Sequence, residues 1–424
     1  MLRAQERVPL VNDDDLPFSR DELENLARHH ETPFFVIDVP TIRDRIERVR
    51  RAFSFPVSVL FAVKANPNPV LLSALRDCLD GLDVASEGEL SESLALGYPG
   101  SKLSLAGPSK PKATLELALT AGAWISIESL GELERLSGLR SFPRAKTMLR
   151  INPEVPDLAY PLRIGGSASP FGIDEARAGE AVETARRLGV DLKGVHVYAG
   201  AQARSARGVA RAVLRTLELG ARLKRELPVQ RVGLGGGFGI AERQGESELS
   251  VEGVARAMDR RRLDEALQTL DGAEVALELG RYLAGPAGCY VAKVIDVRES
   301  RGHHFTVLDG GMNHLLFATP IFGPDRPRRA IGFSERPARR THLIGPLCTP
   351  LDVLAEDVEL PELREGDLVV VPSAGAYGLT ASPVLFLGHT TPLELLRTEH
   401  GTMISRERTR PFDLGRPGAK TPSA

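Results

Sequence analysis

Short apolar runs alternate with amphipathic stretches along the chain from about residue 32 to residue 285. Most runs are apolar throughout, which is typical of strands buried on both faces of a parallel sheet. The stretches between them have helical periodicity, since Val213, Leu217 and Ala221 recur every four residues. Eight runs are predicted to be strands: Val57–Val63, Leu82–Ala85, Leu103–Ala106, Trp124–Ile127, Thr147–Ile151, Gly194–Tyr198, Arg231–Leu234 and Val275–Leu279.

Eight strands with intervening helices over about 250 residues predict a closed (β/α)8 barrel of the TIM type. The alternative is an open, doubly wound α/β sheet. After Gly285 the pattern changes to β-type runs separated by Gly and Pro, which predicts a second, all-β domain. The predicted strands of that domain are Tyr290–Val297, Phe305–Leu308, Leu368–Val371 and Val384–Leu387.

These patterns predict a chain of four parts. Residues 1–31 form an N-terminal segment with one helical pattern, Arg20–His29, and are expected to pack with the β domain. Residues 32–285 form the barrel and residues 286–400 form the β domain. Residues 401–424 are polar and rich in Arg, Pro and Gly, so they are predicted to be a disordered tail.

The composition narrows the functional classes. Hydrophobic residues make up 42% of the chain and charged residues 26%, values that fit a globular protein and exclude collagen, coiled coil and general disorder. A formal net charge of −2 gives no reason to expect a nucleic acid partner. No apolar stretch reaches the roughly 18 residues of a membrane-spanning helix. We therefore expect no membrane association.

The three cysteines, Cys78, Cys289 and Cys348, are far apart and form no CxxC pair. This spacing predicts neither a disulfide framework nor a metal site. The first thirty residues carry many charges and no long apolar run, so no signal peptide is expected. Together these observations predict a cytoplasmic protein.

Polar residues and glycines collect where the predicted barrel strands end. In a (β/α)8 barrel the active site lies at the C-terminal ends of the strands, so these residues are the candidates for chemistry. Each of them has an ordinary structural explanation when taken alone, and it is their common placement that suggests a site. They are Lys64, Asp83, Ser86, Glu128, Arg150, Asn152, His196, Tyr198, Gly235, Gly236, Gly237, Glu278, Gly280 and Arg281.

Three of these features have both a structural and a chemical interpretation. Lys64 is either a strand-end lysine that reaches solvent or an amine desolvated enough to form a Schiff base with a carbonyl. Gly235–Gly237 form either a simple tight turn or a turn whose backbone N–H groups bind a phosphate. Glu278 lies among apolar residues and needs a cation, which is either Arg150 or Arg281 or a protonated pyridine nitrogen.

One cofactor requires all of these features together. Pyridoxal 5′-phosphate (PLP) needs a lysine, a glycine-rich phosphate cup and an acidic partner for its ring nitrogen. His196 and Tyr198 are two residues apart on one predicted strand and therefore face the same side, either as core residues or beside a flat cofactor ring. The joint occurrence predicts a PLP site.

Several motifs resemble a known family. The matching segments are FAVKANPNP (61–69), LDVASEGEL (82–90), GLGGGFG (233–239), ELGRYLAGPAG (278–288), GPLCTPLD (345–352) and GAYG (375–378). They resemble the fold-type III PLP-dependent decarboxylases, the group of ornithine and diaminopimelate decarboxylases. The resemblance covers residues 61–389 in the family order. It implies an alanine racemase-like barrel, a β domain, and α-decarboxylation of an amino acid or amino-acyl group.

The resemblance also implies roles for individual residues. Lys64 is implied for the Schiff base, Glu278 for the pyridinium nitrogen, and Tyr377 for the phosphate, while Asp83 and Tyr198 are expected to contact the cofactor. Cys348 is implied to come from the second subunit and to protonate the α-carbon after carbon dioxide leaves. A homodimer with shared active sites follows from that role. The remaining residues implied for the phosphate are Gly235, Gly236, Gly237, Gly280 and Arg281.

The sequence departs from the family pattern at several positions. Tyr198 stands where the family usually has the stacking His, and Ala201 stands where it has a phosphate-binding Ser. Pro170 replaces the Lys of a Lys-Phe-Gly motif, which removes an expected charge pair between subunits. Thr349 follows Cys348, where relatives carry an Asp or Glu that binds a distal amino group. With Arg281, Thr349 is expected to contact the substrate.

A neutral Thr349 fits a substrate without a distal ammonium. The segments HVYAGAQ (196–202), DGGMNH (309–314), GPLCTPLDVLAEDVELP (345–361) and GAYGLTASPVLFLGH (375–389) resemble the branch that decarboxylates a glutamyl group on an acyl carrier protein in butirosin-type secondary metabolism. The alternatives are a diaminopimelate decarboxylase of lysine biosynthesis, a siderophore-pathway decarboxylase, an alanine racemase, and a PLP-free regulatory relative that is not an enzyme.

Overall fold

The computed structural model describes residues 16–139, 145–154, 160–319, 321 and 328–413. Contacts divide the chain into two units. The barrel unit comprises Arg43–Ile240 and Glu248–Leu283, and the sheet unit comprises Met1–Ile42, Ala241–Ser247 and Ala284–Ala424.

The helices and strands are numbered in chain order. The helices are α1 (Arg20–His29), α2 (Val39–Ala52), α3 (Pro69–Leu75), α4 (Glu87–Ala95), α5 (Lys112–Ala121), α6 (Leu130–Ser137), α7 (Ala178–Leu188), α8 (Ala206–Leu223), α9 (Val251–Ala257), α10 (Arg260–Thr269) and α11 (Arg281–Ala284). The first twelve strands are β1 (Phe34–Asp38), β2 (Ser58–Ala62), β3 (Gly81–Val84), β4 (Leu103–Leu105), β5 (Trp124–Ile127), β6 (Lys146–Asn152), β7 (Leu162–Arg163), β8 (Ile173–Asp174), β9 (Leu192–Val197), β10 (Gly200–Ala201), β11 (Arg231–Gly235) and β12 (Glu274–Leu279). The remaining strands are β13 (Gly288–Ser300), β14 (His303–Leu308), β15 (Ile331–Phe333), β16 (Ala338–Ile344), β17 (Val353–Pro361), β18 (Leu368–Val371), β19 (Leu393–Thr398) and β20 (Gly401–Arg406).

Eight parallel strands close into the barrel. Their order around it is β2, β3, β4, β5, β6, β9, β11 and β12. The ring closes because β12 pairs with β2 and β5 pairs with β6. The predicted TIM-type barrel is therefore confirmed and the open sheet is excluded. Each of the eight predicted runs coincides with one of these strands to within two residues.

Side-chain caps start several barrel helices immediately after a strand. The Ser86 hydroxyl accepts a hydrogen bond from the Glu89 N–H at the start of α4, and Ser129 caps α6 in the same way. Such a cap satisfies an N–H group that has no partner within the helix. The turns between β3 and α4 and between β5 and α6 are short, so each helix begins close to the C-terminal end of the preceding strand.

The second sheet is built around a strand from near the N-terminus. β1 pairs antiparallel with β13 and parallel with β19, so it is a central strand. Its residues are buried on both faces, with Phe35 in one hydrophobic cluster beside Tyr290 and with Phe34 and Val36 in another beside Val291. This burial explains why the sequence of β1 is almost continuously apolar. α1 contributes Leu23 to the second cluster.

The sheet unit differs from the expected division of the chain. The expected boundary at residue 32 precedes β1, but pairing with β13 and β19 places β1 in the sheet unit. Residues 401–406 form β20, which pairs with β19, although a disordered tail was expected from residue 401. Residues 1–15 and 414–424 of the expected terminal segments lie outside the described residues.

The predicted strand Val384–Leu387 is wrong. The segment contains turns, Leu387 has a positive φ of 58°, and Leu385, Phe386 and Leu387 are exposed. From the sequence alone, an apolar run of this length predicts a buried strand. The sequence pattern does not show whether the side chains pack into a hydrophobic core.

Candidate active site

The barrel places the polar strand-end residues on its interior face. Residues paired across neighbouring strands point to the same side of the sheet, and so do residues two apart on one strand. Lys64 follows two residues after Ala62 in a short turn, Val63–Ala65. The pairs that define the interior face are Ala62 with Asp83, Leu60 with Glu278, Glu278 with Gly235, Gly233 with His196, and His196 with Arg150.

Lys64 and Asp83 form an ion pair at this face. Lys64 Nζ lies 3.2 Å from Asp83 Oδ2 and 5.8 Å from the centre of the Tyr198 ring. The Lys64 side chain is 43% exposed, whereas that of Asp83 is 3% exposed. The sequence suggested a desolvated amine, but the structure buries the carboxylate instead.

Burial also determines the acidity of Asp83. Burial raises the pKa of Asp83, and the charge of Glu278 adds to this effect, while Lys64 opposes it. The second carboxylate oxygen, Oδ1, is buried and makes no hydrogen bond to any described residue. An unpaired buried oxygen of this kind is costly in a folded protein, which marks the position as one that a ligand can complete.

Glu278 contacts a histidine rather than an arginine. Glu278 Oε2 lies 3.1 Å from His196 Nε2, and His196 Nδ1 lies 3.0 Å from the Ser126 hydroxyl. The sequence suggested Arg150 or Arg281 as the ionic partner of Glu278. Burial tends to raise the pKa of Glu278, but the nearby His196, Lys64 and Arg150 outweigh it, so that the pKa lies below its ordinary value.

A second group of buried charges lies beside these residues. Glu128 Oε2 is 2.9 Å from Arg150 Nη1, and Lys110 Nζ is 2.9 Å from Glu132 Oε1 and 3.4 Å from Glu128 Oε1. Burial tends to raise the pKa of Glu128, but Arg150 and Lys110 outweigh it and the pKa is lowered. Two acids thus face two bases, but burial outweighs Lys110 at Glu132, so the pKa of Glu132 is raised.

Sequence reasoning missed three residues of this region: Ser126, Lys110 and Glu132. Ser126 lies inside a strand, Lys110 in a loop and Glu132 in α6, so none of them shows the strand-end position that identified the others. The signal that was available for Glu132 is its place three residues after Ser129, where a capping box has its acid. In the structure Glu132 Oε2 accepts a hydrogen bond from the Glu128 N–H, one residue before the cap, and Oε1 pairs with Lys110.

The glycine run after β11 is enforced by close packing. Gly237 has a φ of +61°, and a Cβ atom at that position would lie 1.8 Å from the Gly200 carbonyl oxygen. A Cβ at Gly236 would lie 2.2 Å from the Glu278 carbonyl oxygen, and one at Gly235 would lie 2.2 Å from Tyr198. Close packing alone therefore explains why these three positions are glycine. Their contact with a phosphate stays a prediction.

Three further residues predicted for the site also come directly after barrel strands or at the start of the next helix. Gly280 comes directly after β12, and a Cβ at that position would lie 2.6 Å from the Ala65 Cβ. Arg281 begins α11 and is half-buried. Tyr198 follows β9 and packs against Gly235.

Within the sheet unit, Cys348 and Thr349 lie in the loop between β16 and β17. Cys348 is exposed, and the Thr349 hydroxyl accepts a hydrogen bond from the Leu351 N–H at 3.3 Å. Asp352 is buried and accepts hydrogen bonds from the N–H groups of Met312 at 2.6 Å and Leu347 at 2.8 Å. This carboxylate is therefore committed to the backbone of its own unit.

Tyr377 has a strained backbone. Its φ is +53°, a conformation that costs a non-glycine residue about 1 to 2 kcal/mol. The ring lies 5.5 Å from that of Phe317. Strained residues of this kind concentrate at functional sites. The contact of Tyr377 with a phosphate stays a prediction.

Two absences apply to the described part of the chain. None of its helices is both long and apolar enough to cross a membrane. Across the same residues, no three His, Cys, Asp or Glu side chains are grouped so that they could hold a metal ion.

Comparison with known proteins gives consistent results. Residues 39–285 match the family model for the pyridoxal binding domain of pyridoxal-dependent decarboxylases. The L-glutamyl-[BtrI acyl-carrier protein] decarboxylase of Niallia circulans is 31% identical over 93% of this chain and 95% of that protein. The diaminopimelate decarboxylase of Aquifex aeolicus is 30% identical over 85% of both chains.

A solved structure extends the likeness to the fold. The crystal structure of diaminopimelate decarboxylase from Helicobacter pylori in complex with L-lysine has a TM-score of 0.80 and 25% identity, and the match covers 92% of this chain and 98% of that one. Since the family model covers more than half of the chain and the relatives align over nearly its whole length, the chain belongs to the pyridoxal-dependent decarboxylases and is a carboxy-lyase that uses PLP.

Proposed function

We propose that this enzyme decarboxylates a glutamyl group held as a thioester on an acyl carrier protein, in secondary metabolism. The observation that carries the proposal is the absence of an available carboxylate in the loop 345–352. Thr349 follows Cys348, and Asp352, the one acidic residue of the loop, is buried and bonded to backbone N–H groups. A distal ammonium would find no charged acceptor there, whereas a neutral thioester needs none. The Niallia circulans relative, which is named for such a substrate, supports this assignment.

The described residues fit the cofactor. The buried Asp83 Oδ1 lacks a partner, and Glu278 is an acidic, buried carboxylate of the kind that stabilises a protonated pyridine nitrogen. We assign Lys64 to the cofactor aldehyde, Glu278 to the ring nitrogen and Tyr198 to the ring face. The phosphate is assigned to Gly235–Gly237, Gly280, Arg281 and Tyr377. The division into a cofactor-binding barrel and a β domain is part of the same proposal.

The mechanism depends on what each side chain does with charge and protons. When bound, PLP supplies an electron-withdrawing ring that accepts the electron pair released as carbon dioxide leaves. Glu278 keeps its negative charge through the contact with His196 and so favours a protonated ring nitrogen. Asp83 holds the amine of Lys64 in place through its ion pair. Cys348 donates a proton to the substrate α-carbon, which completes the replacement of the carboxylate by hydrogen.

We further propose a homodimer in which Cys348 acts in the site of the other subunit. In support, Cys348 is exposed in the described chain, and so are several large apolar side chains of the same unit, among them Leu351 and the consecutive Leu385, Phe386 and Leu387. A contiguous run of exposed apolar residues is typical of association surfaces, whereas single ones are common on any protein. Mixing Lys64→Ala and Cys348→Ala protein tests the proposal, because only a mixed dimer has one intact site. We expect roughly a quarter of wild-type activity after random exchange, and no activity from the mixture would contradict the shared site.

A substrate panel tests the reaction. Purified enzyme is incubated with glutamyl carrier protein, free glutamate, diaminopimelate and ornithine, and products are identified by mass. We expect the glutamyl carrier protein to lose about 44 mass units, the mass of one CO₂. We expect no turnover of the free amino acids. Lys64→Ala serves as the inactive control. Lysine formation from diaminopimelate, with no change in the carrier protein, would reject the proposal.

Diaminopimelate decarboxylase is the second candidate. The Aquifex aeolicus relative at 30% identity and the Helicobacter pylori structure with bound L-lysine favour it. The residue after Cys348 distinguishes the two candidates, because a diaminopimelate substrate retains a distal amino group, and Thr349 has no charge to offer it.

A further inference from the structure

Ser126, His196 and Glu278 form a continuous chain of polar groups inside the barrel. They come from three different strands, β5, β9 and β12. The Ser126 hydroxyl lies 3.0 Å from His196 Nδ1, and His196 Nε2 lies 3.1 Å from Glu278 Oε2. Each of the three residues is at most 5% exposed, so water does not compete for these contacts.

The two contacts of His196 determine which of its ring nitrogens carries the proton. A neutral imidazole has one N–H donor and one acceptor nitrogen. The carboxylate of Glu278 is an acceptor and therefore requires the N–H at Nε2, which leaves Nδ1 to accept a hydrogen bond from the Ser126 hydroxyl. Glu278 thus determines the tautomer, and the Ser126 hydroxyl, which can donate or accept, bonds to Nδ1 and holds the ring in place.

The contact between His196 and Glu278 is close but incompletely aligned. The two atoms are within ion-pair distance, yet Nε2 makes no hydrogen bond of acceptable geometry to any described residue. A buried N–H group without an aligned acceptor costs about 1 to 3 kcal/mol.

We propose that His196 is a positioning residue for Glu278: held by Ser126, it fixes one carboxylate oxygen so that the other is presented to the ring nitrogen of the cofactor. The inference rests on the role proposed above for Glu278. It is independent of which amino acid or amino-acyl group is decarboxylated, because it concerns the cofactor alone.

Four variants test the proposal on the purified enzyme. His196→Leu removes the donor with similar volume, and His196→Gln retains an N–H donor without the ring. Ser126→Ala removes the hydroxyl that fixes the ring. Ser93→Ala is the matched control, since Ser93 is also a buried serine of the barrel unit, but it lies in α4 and its hydroxyl donates to the Glu89 carbonyl oxygen. The measurements are the PLP dissociation constant, the visible absorption spectrum of bound PLP, and the melting temperature of the cofactor-free protein.

We expect His196→Leu to weaken PLP binding by about ten- to a hundredfold, the range found for groups that orient buried ligands, and to change the ratio of the visible absorption bands. His196→Gln recovers most of the affinity and the spectrum. Ser126→Ala gives a smaller loss in the same direction, and Ser93→Ala leaves both unchanged. Equal losses in His196→Leu and His196→Gln, or equal losses in Ser126→Ala and Ser93→Ala, would overturn the proposal. The serine pair decides the question if His196→Leu does not fold.

A fifth variant separates this proposal from the role of Glu278. If Glu278→Gln leaves PLP affinity and the spectrum unchanged, the role of Glu278 itself is wrong. If Glu278→Gln changes both and His196→Leu changes neither, only the positioning role of His196 fails. When both are correct, the double variant binds PLP no more weakly than Glu278→Gln alone, because the two residues act through one contact.

Discussion

The amine of Lys64 lies 3.2 Å from Oδ2 of Asp83, whose other oxygen has no partner among the described residues. A buried carboxylate with a raised pKa destabilises the fold when it ionises. The stability loss begins as the pH rises above about 3.9, the ordinary pKa of Asp, and is complete above the raised pKa of the folded state.

Asp83→Asn is therefore expected to stabilise the cofactor-free protein at pH 7, because Asn has no charge to bury and Lys64, at 43% exposure, stays solvated, while weakening PLP binding. Urea denaturation at pH 7 measures the gain. Asp77→Asn is the control, because contact with Arg43 lowers the pKa of that exposed residue, so its replacement brings no gain. Lower stability of Asp83→Asn at pH 7 contradicts the expectation.

Gly237→Ala is expected to destabilise the barrel severely, by more than about 3 kcal/mol, or to prevent folding. The new Cβ would meet the Gly200 carbonyl oxygen at 1.8 Å and the residue would keep a positive φ. Gly272→Ala isolates the backbone contribution, since Gly272 has a φ of +77° and nothing lies within 4 Å of its Cβ position. That control should lose only about 1 to 2 kcal/mol. Similar losses in both variants would show that the close contact is relieved at little cost.

His314 should contribute to acid sensitivity. Burial, the main cause, lowers the pKa of His314 to about 3, so the unfolded chain takes up its proton first as the pH falls. Stability is lost from about pH 6.5 downwards, with a limiting slope of about 1.4 kcal/mol per pH unit.

His314→Gln removes this sensitivity. The variant is expected to be less stable than wild type at pH 7, because the contact between His314 and the Tyr290 hydroxyl is lost, but the gap should narrow by about 2 kcal/mol at pH 5. Urea denaturation at the two pH values measures the gap. Replacement of the exposed His400 by Gln provides the control, and a gap that does not change with pH rules out the contribution of His314.

Thr349→Glu should shift substrate preference. A carboxylate after Cys348 adds a charge-assisted bond to a distal ammonium worth about 1.5 to 3 kcal/mol, which corresponds to a gain of roughly ten- to a hundredfold in kcat/KM for diaminopimelate or ornithine. Thr349→Gln, with similar size and no charge, should give no such gain. Equal behaviour of the two variants would remove Thr349 from substrate recognition.

Cys348→Ala should slow product formation by about a hundredfold or more, the contribution of a positioned proton donor. Protonation at the wrong carbon should then release a carbonyl product, which mass analysis detects beside the normal amine. Replacement of the buried Cys289 by Ala gives the comparison for loss of a thiol without loss of the donor. Normal turnover of Cys348→Ala removes Cys348 from the mechanism.

Most of the barrel could be predicted from the sequence, because its strands are short apolar runs bounded by helices. The sheet unit was harder, since β1 is separated from its partner β19 by more than 350 positions and no local pattern records that pairing. Val384–Leu387 failed for the opposite reason: its local pattern is that of a strand, but its side chains are exposed.

The site residues that lie at strand ends could be predicted from the sequence. The contacts between side chains on different strands could not. Glu278 and His196 were both recognised as strand-end residues, but their mutual contact depends on the register of β9, β11 and β12. Ser126 and Lys110 have no distinguishing position in the sequence. The burial of Asp83 and the exposure of Lys64 likewise depend on the closed barrel and not on either residue's neighbours in the chain.

The central position of β1 has a consequence for biosynthesis. Its sheet partners β13 and β19 begin at residues 288 and 393, so β1 is synthesised long before the strands with which it pairs. The barrel strands are all synthesised in the interval, so Phe34–Ile37 have no strand partner until β13 is made, and their other edge stays unpaired until β19 follows. A strand this apolar is an aggregation hazard while it waits. Production of this enzyme in a foreign host should therefore depend on the translation rate and on chaperones that shield its N-terminus.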